Sequence, residues 1–351
     1  MYLHTLGWNS FFQSHWIAES REGLEPARVM EEQRDAYRVV ANSGEFAAEI
    51  TGHLRHAAAD RSALPAVGDW VAIGVLEGEA KARIHSILPR RMKLSRKEAG
   101  RRAVEQILVT NVDTVFLIMS LNADLNPRRI ERYLGTLWES GAQPVIVLSK
   151  ADLASDPSGA VSEIGAAAPG VEIHVLSAVT GTGVDALQPY LGPGRTVVLM
   201  GSSGVGKSTL INCLLKADVQ KTMEVRSGDD RGRHATTYRR LFPLPSGGVL
   251  IDTPGMREFQ LWDAAGIDDT FEEIGQLAER CRFRDCCHES EPGCAVKQAI
   301  DDGTMESQRL SSFQKLKREL EYNDRRKDIA ALSEQKKRWK RIAKAYRRAN
   351  R

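Results

Sequence analysis

The residues best suited to do chemistry form one glycine-rich octapeptide, Gly201 to Ser208, which fits the pattern GxxxxGK[ST]. Residues 196–200 before it predict a buried strand, and residues 209–215 after it predict a helix. Glycines let backbone N–H groups turn towards one point, where they donate to phosphate oxygens. In such a loop Lys207 reaches the β- and γ-phosphates, and the serine hydroxyl ligates Mg²⁺. The predicted phosphate-binding residues are Gly201, Ser202, Ser203, Gly204, Val205, Gly206, Lys207, Ser208 and Thr209.

Two earlier segments predict that the bound base is guanine. Ser149-Lys150-Ala151-Asp152 resembles the [NT]KxD motif of GTPases, in which the aspartate accepts hydrogen bonds from guanine N1–H and N2–H₂. Adenine offers no such donor pair, and an unpaired carboxylate is costly, so Asp152 would discriminate between the bases. The Lys150 stem would cover the base, and Ser149 replaces the usual asparagine, which predicts a weaker tie to the phosphate loop. Asp152 could instead be a helix N-cap. Ser177-Ala178 matches a second loop, whose alanine N–H meets guanine O6.

Two later segments are candidates to hold the magnesium ion and the terminal phosphate. Residues 249–251 predict a strand that delivers Asp252-Thr253-Pro254-Gly255, a DxxG motif. In this motif the aspartate holds Mg²⁺ through water, and the glycine N–H contacts the γ-phosphate. Thr236 and Thr237 lie in a polar stretch that is predicted to be mobile without ligand. Either could close onto Mg²⁺, and Thr237 is the favoured candidate.

The residue after the DxxG motif bears on hydrolysis. Many GTPases place a glutamine there to orient the attacking water, but this chain has Met256, which cannot do so. His234 is the candidate catalytic residue, because an imidazole can orient or deprotonate water near neutral pH. The alternative is that His234 is an ordinary histidine on a surface loop.

The order of the motifs predicts a circularly permuted domain. In ordinary GTPases the phosphate loop comes first, whereas here residues 149–152 and 177–178 precede it. Such a reconnection is feasible because the termini of compact domains lie at the surface and often close together.

Four cysteines crowd between Cys281 and Cys294. Clustered cysteines with a histidine in a cytoplasmic protein indicate a metal rather than a disulfide. Three thiolates and one imidazole make a closed tetrahedral set for one structural Zn²⁺ per chain. Cys287 could substitute for Cys286. The predicted ligands are Cys281, Cys286, His288 and Cys294.

The elements around these motifs predict a multidomain α/β protein. Alternating strands and helices from about residue 114 indicate a doubly wound sheet, with a helix that starts at Asn126-Pro127 and stops at Gly141. Four short strands between residues 36 and 89 indicate a small β-barrel, either of the OB type or SH3-like. The expected domains are an extension over 1–35, the barrel and a basic linker over 36–102, the GTPase domain over 103–275, and a helical zinc domain with a basic tail over 276–351.

The basic residues predict a nucleic-acid partner. Residues 309–351 hold 16 Lys/Arg against five Asp/Glu, although the whole chain has a net charge of only +3. Residues 90–102 form a second basic run, predicted to be exposed. The absence of a long apolar run or signal pattern predicts a cytoplasmic protein that does not enter membranes.

Taken together, these motifs closely resemble the RsgA (YjeQ) family of circularly permuted GTPases that depend on the small ribosomal subunit. The resemblance covers roughly residues 36–300 and includes Leu64 to Val71, Asn111-Val112-Asp113 and Gly232 to Thr237 as well as the motifs above. It implies an OB domain, a permuted GTPase domain and a zinc domain. It also implies GTP hydrolysis with Mg²⁺, stimulated by the small subunit, in late subunit maturation with rRNA contact. The chain is expected to be a monomer.

Two other functions are compatible with parts of the sequence. In the first, the chain is an RNA-binding module in which nucleotide only sets conformation and turnover is incidental. In the second, it is an ATP-dependent kinase, which Asp152 and the absence of an acceptor-substrate motif disfavour.

Overall fold

The computed structural model describes residues 3–18, 22–33, 36–97, 105–122, 125–217, 239–253 and 270–318. Several predicted features lie outside the described residues: His234, Thr236, Thr237, Gly255, Met256, the end of the basic run, and the basic tail after residue 318. The described residues divide into two compact units. The first holds the residues up to Ser95 and residues 107–253, and the second holds the segment around 96–106 and residues 270–318.

A closed barrel of five strands forms the N-terminal part of the first unit. Its strands are β1 (Glu25–Glu32), β2 (Tyr37–Ala41), β3 (Gly44–Ile50), β4 (Trp70–Val75) and β5 (Lys81–Ile87), with helix α2 (Gly52–Ala57) between β3 and β4. They pair in the order β1-β2-β3-β5-β4, and β4 pairs with β1 to close the barrel. This topology, with the helix after the third strand, is that of an OB fold, so the SH3-like alternative is wrong.

Strand β1 lies in the segment that was predicted to be an extension. Pro26 and the charged Arg28 hide its strand pattern, yet Ala27 and Val29 are fully buried in the barrel. The residues before it also pack onto the first unit through a short 3₁₀ helix (Leu3–Leu6) and helix α1 (Ser10–Ala18). There the rings of Trp8 and Trp70 stack edge to face, with centroids 4.8 Å apart. The barrel therefore begins about ten residues earlier than expected.

The described part of the basic run is not an exposed linker. Residues Lys93–Lys97 form strand β6, which pairs with β7 (Glu105–Thr110), and Met92 and Leu94 are buried at alternating positions. Arg90 forms a two-pronged ion pair with the buried Asp69, with Nε–Oδ1 and Nη2–Oδ2 distances of 2.8 and 2.7 Å. The high density of charge in this run obscures the buried apolar residues that alternate with the basic ones.

A doubly wound sheet forms the rest of the first unit. Its strands are β8 (Thr114–Ser120), β9 (Gln143–Ser149), β10 (Glu172–Val175), β11 (Thr196–Gly201), β12 (Arg240–Pro243) and β13 (Val249–Asp252). They lie in the order β10-β9-β8-β11-β13-β12, all parallel except β12. Helices α3 (Pro127–Ser140), α4 (Pro157–Ala167) and α5 (Lys207–Leu215) and two 3₁₀ helices (Ala151–Leu153 and Val184–Tyr190) connect them. The carboxyl ends of β8, β9, β11 and β13 therefore meet at one edge, where ligands bind in such sheets.

The second unit is helical in its C-terminal part. It contains α6 (Glu272–Ala278), α7 (Ala295–Asp301) and a helical segment over residues 307–318. Phe271, Ile274, Val296, Leu310 and Leu316 form its apolar core together with Cys294. Within the described residues, none of the helices is both long and apolar enough to span a lipid bilayer.

Candidate functional site

The phosphate loop, Gly201 to Ser208, connects β11 directly to α5, as the motif requires. A Cβ on Gly201 would lie 2.4 Å from the carbonyl oxygen of Ile118 on the neighbouring strand, so only glycine fits there. Gly206 has a φ of 96°, in the left-handed region that glycine adopts without strain. These two glycines let the loop turn tightly over the end of β11 before α5 begins at Lys207.

The side chain of Lys207 lies along this loop. Its ammonium group donates to the carbonyl oxygens of Gly201 and Ser202 at 2.7 and 2.6 Å. Only 9% of the residue is exposed. The charge is therefore held at the start of the loop, where it can meet the β- and γ-phosphates.

The guanine loop, Ser149 to Asp152, is joined to the phosphate loop. The Ser149 hydroxyl lies 2.6 Å from the carbonyl oxygen of Val205 and 3.0 Å from that of Met119. Serine in place of asparagine was expected to weaken the hydrogen bond between this loop and the phosphate loop, but that hydrogen bond is present. A hydroxyl has one hydrogen for these two acceptors, whereas an asparagine amide would have two.

Asp152 is not the N-cap of a helix. Helix α4 is capped by Asp156, whose carboxylate accepts from the Gly159 N–H at 2.9 Å. Asp152 lies in the exposed 3₁₀ turn that follows β9, after Lys150 in the left-handed conformation (φ 60°). Its carboxylate is therefore placed at the ligand-binding edge of the sheet without a capping role.

The second base loop, Ser177-Ala178, lies beside the guanine loop. The Ala151 N–H donates to the Leu176 carbonyl at 3.1 Å, which joins the two loops. Ser177 is buried, and its hydroxyl accepts from the Thr180 N–H at 3.2 Å. The serine hydroxyl thus stabilises the turn over residues 177–180, which includes Ala178.

The described part of the DxxG segment lies at the same edge. Asp252 is the last residue of β13, is 3% exposed, and stands opposite Leu199 of β11 in the parallel ladder. The Thr253 hydroxyl donates to the Leu199 carbonyl at 2.8 Å. Asp252 is therefore fixed next to the phosphate loop, where a metal held by Ser208 could be reached through water.

One cation at this edge belongs to none of the predicted motifs. Arg129, in the first turn of α3, places Nη1 2.5 Å from the hydroxyl oxygen of Ser202. The Asn126-Pro127 start predicted the helix but gave no indication that its first turn reaches the phosphate loop.

The four predicted zinc ligands come together in the second unit. One ligand atom from each of Cys281, Cys286, His288 and Cys294 lies within 4.8 Å of the others. The sulfurs of Cys281 and Cys294 are 3.9 Å apart. Tetrahedral Zn–S bonds of about 2.3 Å require a separation of about 3.8 Å, so the pair fits zinc geometry. The Cys287 thiol instead points to the Asp285 carbonyl, which disfavours the alternative ligand.

The surroundings of the cluster suit a cation. Burial raises the pKa of the Cys286 thiol to about 11, so a bound cation is needed to hold it as a thiolate. Burial opposes ionisation of Cys281 too, but N–H donors of Ala295 and Val296 and bonds with Cys294 and Cys286 lower its pKa. Burial lowers the pKa of His288, which favours the neutral imidazole that binds metals.

Comparison with known proteins agrees with this geometry. The family model described as RsgA GTPase matches residues 87–262. The small ribosomal subunit biogenesis GTPase RsgA of Opitutus terrae is 46% identical, over 99% of this chain and 97% of that protein. RsgA 2 of Lactiplantibacillus plantarum is 47% identical, over 92% of each chain.

Solved structures show the same architecture. YjeQ from Thermotoga maritima superimposes with a TM-score of 0.61 at 25% identity, covering 85% of this chain and 98% of that one. YloQ, a circularly permuted GTPase, superimposes with a TM-score of 0.57 at 22% identity, covering 89% and 98%. Because the sequence relatives match nearly end to end and the motifs occupy one sheet edge, the chain belongs to the RsgA family of circularly permuted GTPases.

Proposed function

We propose that this GTPase hydrolyses GTP on the small ribosomal subunit during late subunit maturation, and that the subunit stimulates turnover. The observation that carries the proposal is the convergence of three groups at one sheet edge: the phosphate loop, the guanine loop joined to it by Ser149, and the buried Asp252. The relatives are named for small ribosomal subunit biogenesis, and that name supplies the partner.

The two base loops select guanine. Asp152 accepts the N1–H and N2–H₂ donors, the Ala178 N–H donates to O6, and the Lys150 stem covers one face of the base. Adenine would leave the carboxylate unpaired, so GTP is preferred over ATP. The tie between the Ser149 hydroxyl and Val205 supports this role, because it fixes the base loops relative to the phosphates.

The phosphate loop holds the triphosphate. Its N–H groups surround the β-phosphate, and the Lys207 ammonium turns from its two carbonyl partners to the β- and γ-oxygens. Ser208, Thr237 and Asp252 are the proposed magnesium residues, with Asp252 acting through water. Bound Mg²⁺ would neutralise charge that develops on the phosphate oxygens.

Hydrolysis is an in-line displacement at the γ-phosphorus. A water oxygen forms the new P–O bond while the bond to the β–γ bridging oxygen breaks, which gives GDP and phosphate. His234 orients this water or takes its proton, and the Gly255 N–H contacts the γ-phosphate. With Met256 unable to help, turnover without the subunit is expected to be slow.

The metal cluster holds one structural Zn²⁺. Three cysteines and one histidine fill a tetrahedral set and leave no position for a reacting water. Zinc would join the turn over residues 281–294 to the start of α7, where Cys294 is the N-cap. Metal binding is therefore coupled to the folding of this unit.

The OB barrel and the basic C-terminal residues bind rRNA. OB folds commonly bind oligonucleotides, and the excess of Lys/Arg over residues 309–351 suits phosphate contacts. The chain acts as a cytoplasmic monomer in this proposal. Subunit affinity that did not change between 50 and 200 mM salt would contradict rRNA binding through the basic residues, since each phosphate contact releases counterions.

The first test is hydrolysis of GTP and ATP with and without purified small ribosomal subunits. Strong stimulation by the subunit, for GTP alone, is the expected result. A slow GTP hydrolysis rate that is the same with and without the subunit would support the nucleotide site but contradict the proposed partner.

Substitution of His234 distinguishes two hypotheses, a GTP hydrolase and a nucleotide-gated RNA-binding module. His234→Ala is expected to lower turnover, retain GTP binding and delay release from subunits. If turnover falls while release is unchanged, hydrolysis does not time the protein's action.

A further inference from the structure

Two cations meet at one residue of the phosphate loop. Ser202 receives the Lys207 ammonium at its carbonyl oxygen, 2.6 Å away, and the Arg129 guanidinium at its hydroxyl, 2.5 Å away. Both contacts come from positively charged groups, so an anion bound next to Ser202 would be attracted to both of them. Lys207 is assigned to the triphosphate, but Arg129 belongs to none of the GTPase motifs in this sequence.

The fold holds Arg129 in this position. Strands β8 and β11 are parallel neighbours, with Ile118 opposite Gly201, so the first turn of α3 and the phosphate loop share one edge. The Asn126 side chain accepts from the Arg129 N–H at 3.1 Å and fixes the start of the helix. Helical side chains point back towards the N-terminus, which brings the guanidinium to the edge where nucleotide binds. The neighbouring Arg128 is exposed, whereas Arg129 is half-buried.

The chemistry of the guanidinium suits a phosphate. It carries five N–H donors in a planar fork, so it can hold the serine hydroxyl and a phosphate oxygen together. The guanidinium contacts Ser202, and the carbonyl oxygen of Ser202 also accepts from Lys207. Lys207 is the cation assigned to the β- and γ-phosphates of the nucleotide. A second cation at that end favours the nucleotide with the larger charge, which is GTP rather than GDP.

We propose that Arg129 donates to the γ-phosphate of bound GTP, held in place by Ser202, and so makes the site prefer GTP over GDP. The inference rests on the proposed function, because it takes the ligand of this loop to be a guanine nucleotide. It adds a cation supplied from α3, a helix that precedes the phosphate loop in this permuted chain.

The test uses the full chain and compares affinities for GDP and for the non-hydrolysable analogue GMPPNP by calorimetry. Arg129→Ala is expected to weaken GMPPNP binding about tenfold, the usual scale of one lost hydrogen bond to a charged group, with GDP affinity unchanged. Arg129→Lys keeps the charge and is expected to lose less. Arg128→Ala, the matched control from the same helical turn, is expected to bind both nucleotides as the wild type does.

The other outcomes are distinct. If Arg129→Ala weakens GDP and GMPPNP by the same factor, Arg129 only supports the loop and the inference is wrong. The inference is also wrong if Arg129→Ala changes neither affinity although the wild type binds both GDP and GMPPNP. If the wild type binds neither guanine nucleotide, the proposed function itself fails. A thermal melt of each variant shows whether a change in both affinities reflects loss of folded protein.

Discussion

The hydroxyl oxygen of Ser149 lies 2.6 Å from the carbonyl oxygen of Val205, so the proposed guanine loop and the phosphate loop are joined directly. The same hydroxyl lies 3.0 Å from the Met119 carbonyl at the end of β8. Three neighbouring segments at the sheet edge are therefore joined by one small side chain that is 4% exposed.

Ser149→Ala should lower guanine nucleotide affinity by about tenfold or less, because it removes the hydrogen bond between the two loops and one such bond contributes about 1 kcal/mol. Ser149→Thr keeps the hydroxyl and should restore most of the affinity. Ser158→Ala, at an exposed serine in α4, serves as the control. Equal affinities for the wild type and Ser149→Ala would show that the two loops hold their positions without this bond.

Asp152→Asn should change the base preference from guanine to xanthine. An asparagine amide can donate to the xanthine O2 carbonyl, whereas it cannot accept both guanine donors. GTP turnover with small subunits should fall at least tenfold, and XTP turnover should rise, since each unmatched polar contact costs about 1–3 kcal/mol. A loss of GTP turnover with no gain for XTP would place Asp152 away from the base.

Arg28 is a buried side chain that contacts several segments of the first unit. Its guanidinium donates to the Leu6 carbonyl, to the Thr196 hydroxyl at 2.9 Å, and to the Asn111 and Gly68 carbonyls at 3.1 and 3.3 Å. Burial lowers its pKa to about 10, against the opposing effect of Asp113, so it stays charged at neutral pH. It thus joins the N-terminal segment, the barrel and the strand that leads to the phosphate loop.

Arg28→Met should lower the free energy of unfolding by about 3 kcal/mol or more, because several buried acceptors lose their donor while the side-chain volume is kept. Urea denaturation measures this directly. Arg38→Met is the control, since Arg38 in β2 is 52% exposed and its substitution should change stability by less than about 0.5 kcal/mol. Similar midpoints for the two variants would contradict the role of Arg28 as a junction.

The nucleotide motifs could be predicted because each is local: a strand, a turn of required residue types and a helix follow one another in the chain. Helix α3 was predicted for the same reason, from its Asn126 cap to Gly141 in the left-handed conformation. Strand β1 could not be predicted in this way, because the burial of Arg28 depends on partners up to 168 residues away in the sequence. The contact between Arg129 and Ser202 is likewise set by sheet order and leaves no pattern in the sequence.

The metal cluster allows a matched pair of cysteine variants. Cys294→Ala should reduce bound zinc from about one per chain to near zero and unfold the second unit, because structural zinc supplies folding free energy. Cys287→Ala should keep its zinc, as that thiol is exposed and points to the Asp285 carbonyl. Elemental analysis of purified protein measures both, and zinc loss in Cys287→Ala would reassign the ligand.

Glu291 stabilises the turn that carries two of the proposed zinc ligands, Cys286 and His288. Its carboxylate accepts from the N–H groups of Cys287, Glu289 and Ser290 at 2.9, 2.9 and 3.0 Å. The N–H of Cys287 is the main cause that lowers its pKa from 4.5 to about 2. Because the folded pKa is the lower one, the stabilisation is complete above pH 4.5 and is lost only as the pH falls towards 2.

Glu291→Gln should therefore release zinc to a chelator faster than the wild type, since a neutral amide accepts these N–H bonds less strongly than a carboxylate. The ratio of the two rates should be constant between pH 5 and 8, where the wild-type carboxylate is fully charged. Glu289→Gln, at an exposed neighbour, should release zinc at the wild-type rate. A rate ratio that changes with pH in that range would mean that Glu291 titrates higher than its hydrogen bonds imply, and equal rates would mean that the zinc ligands hold the turn without it.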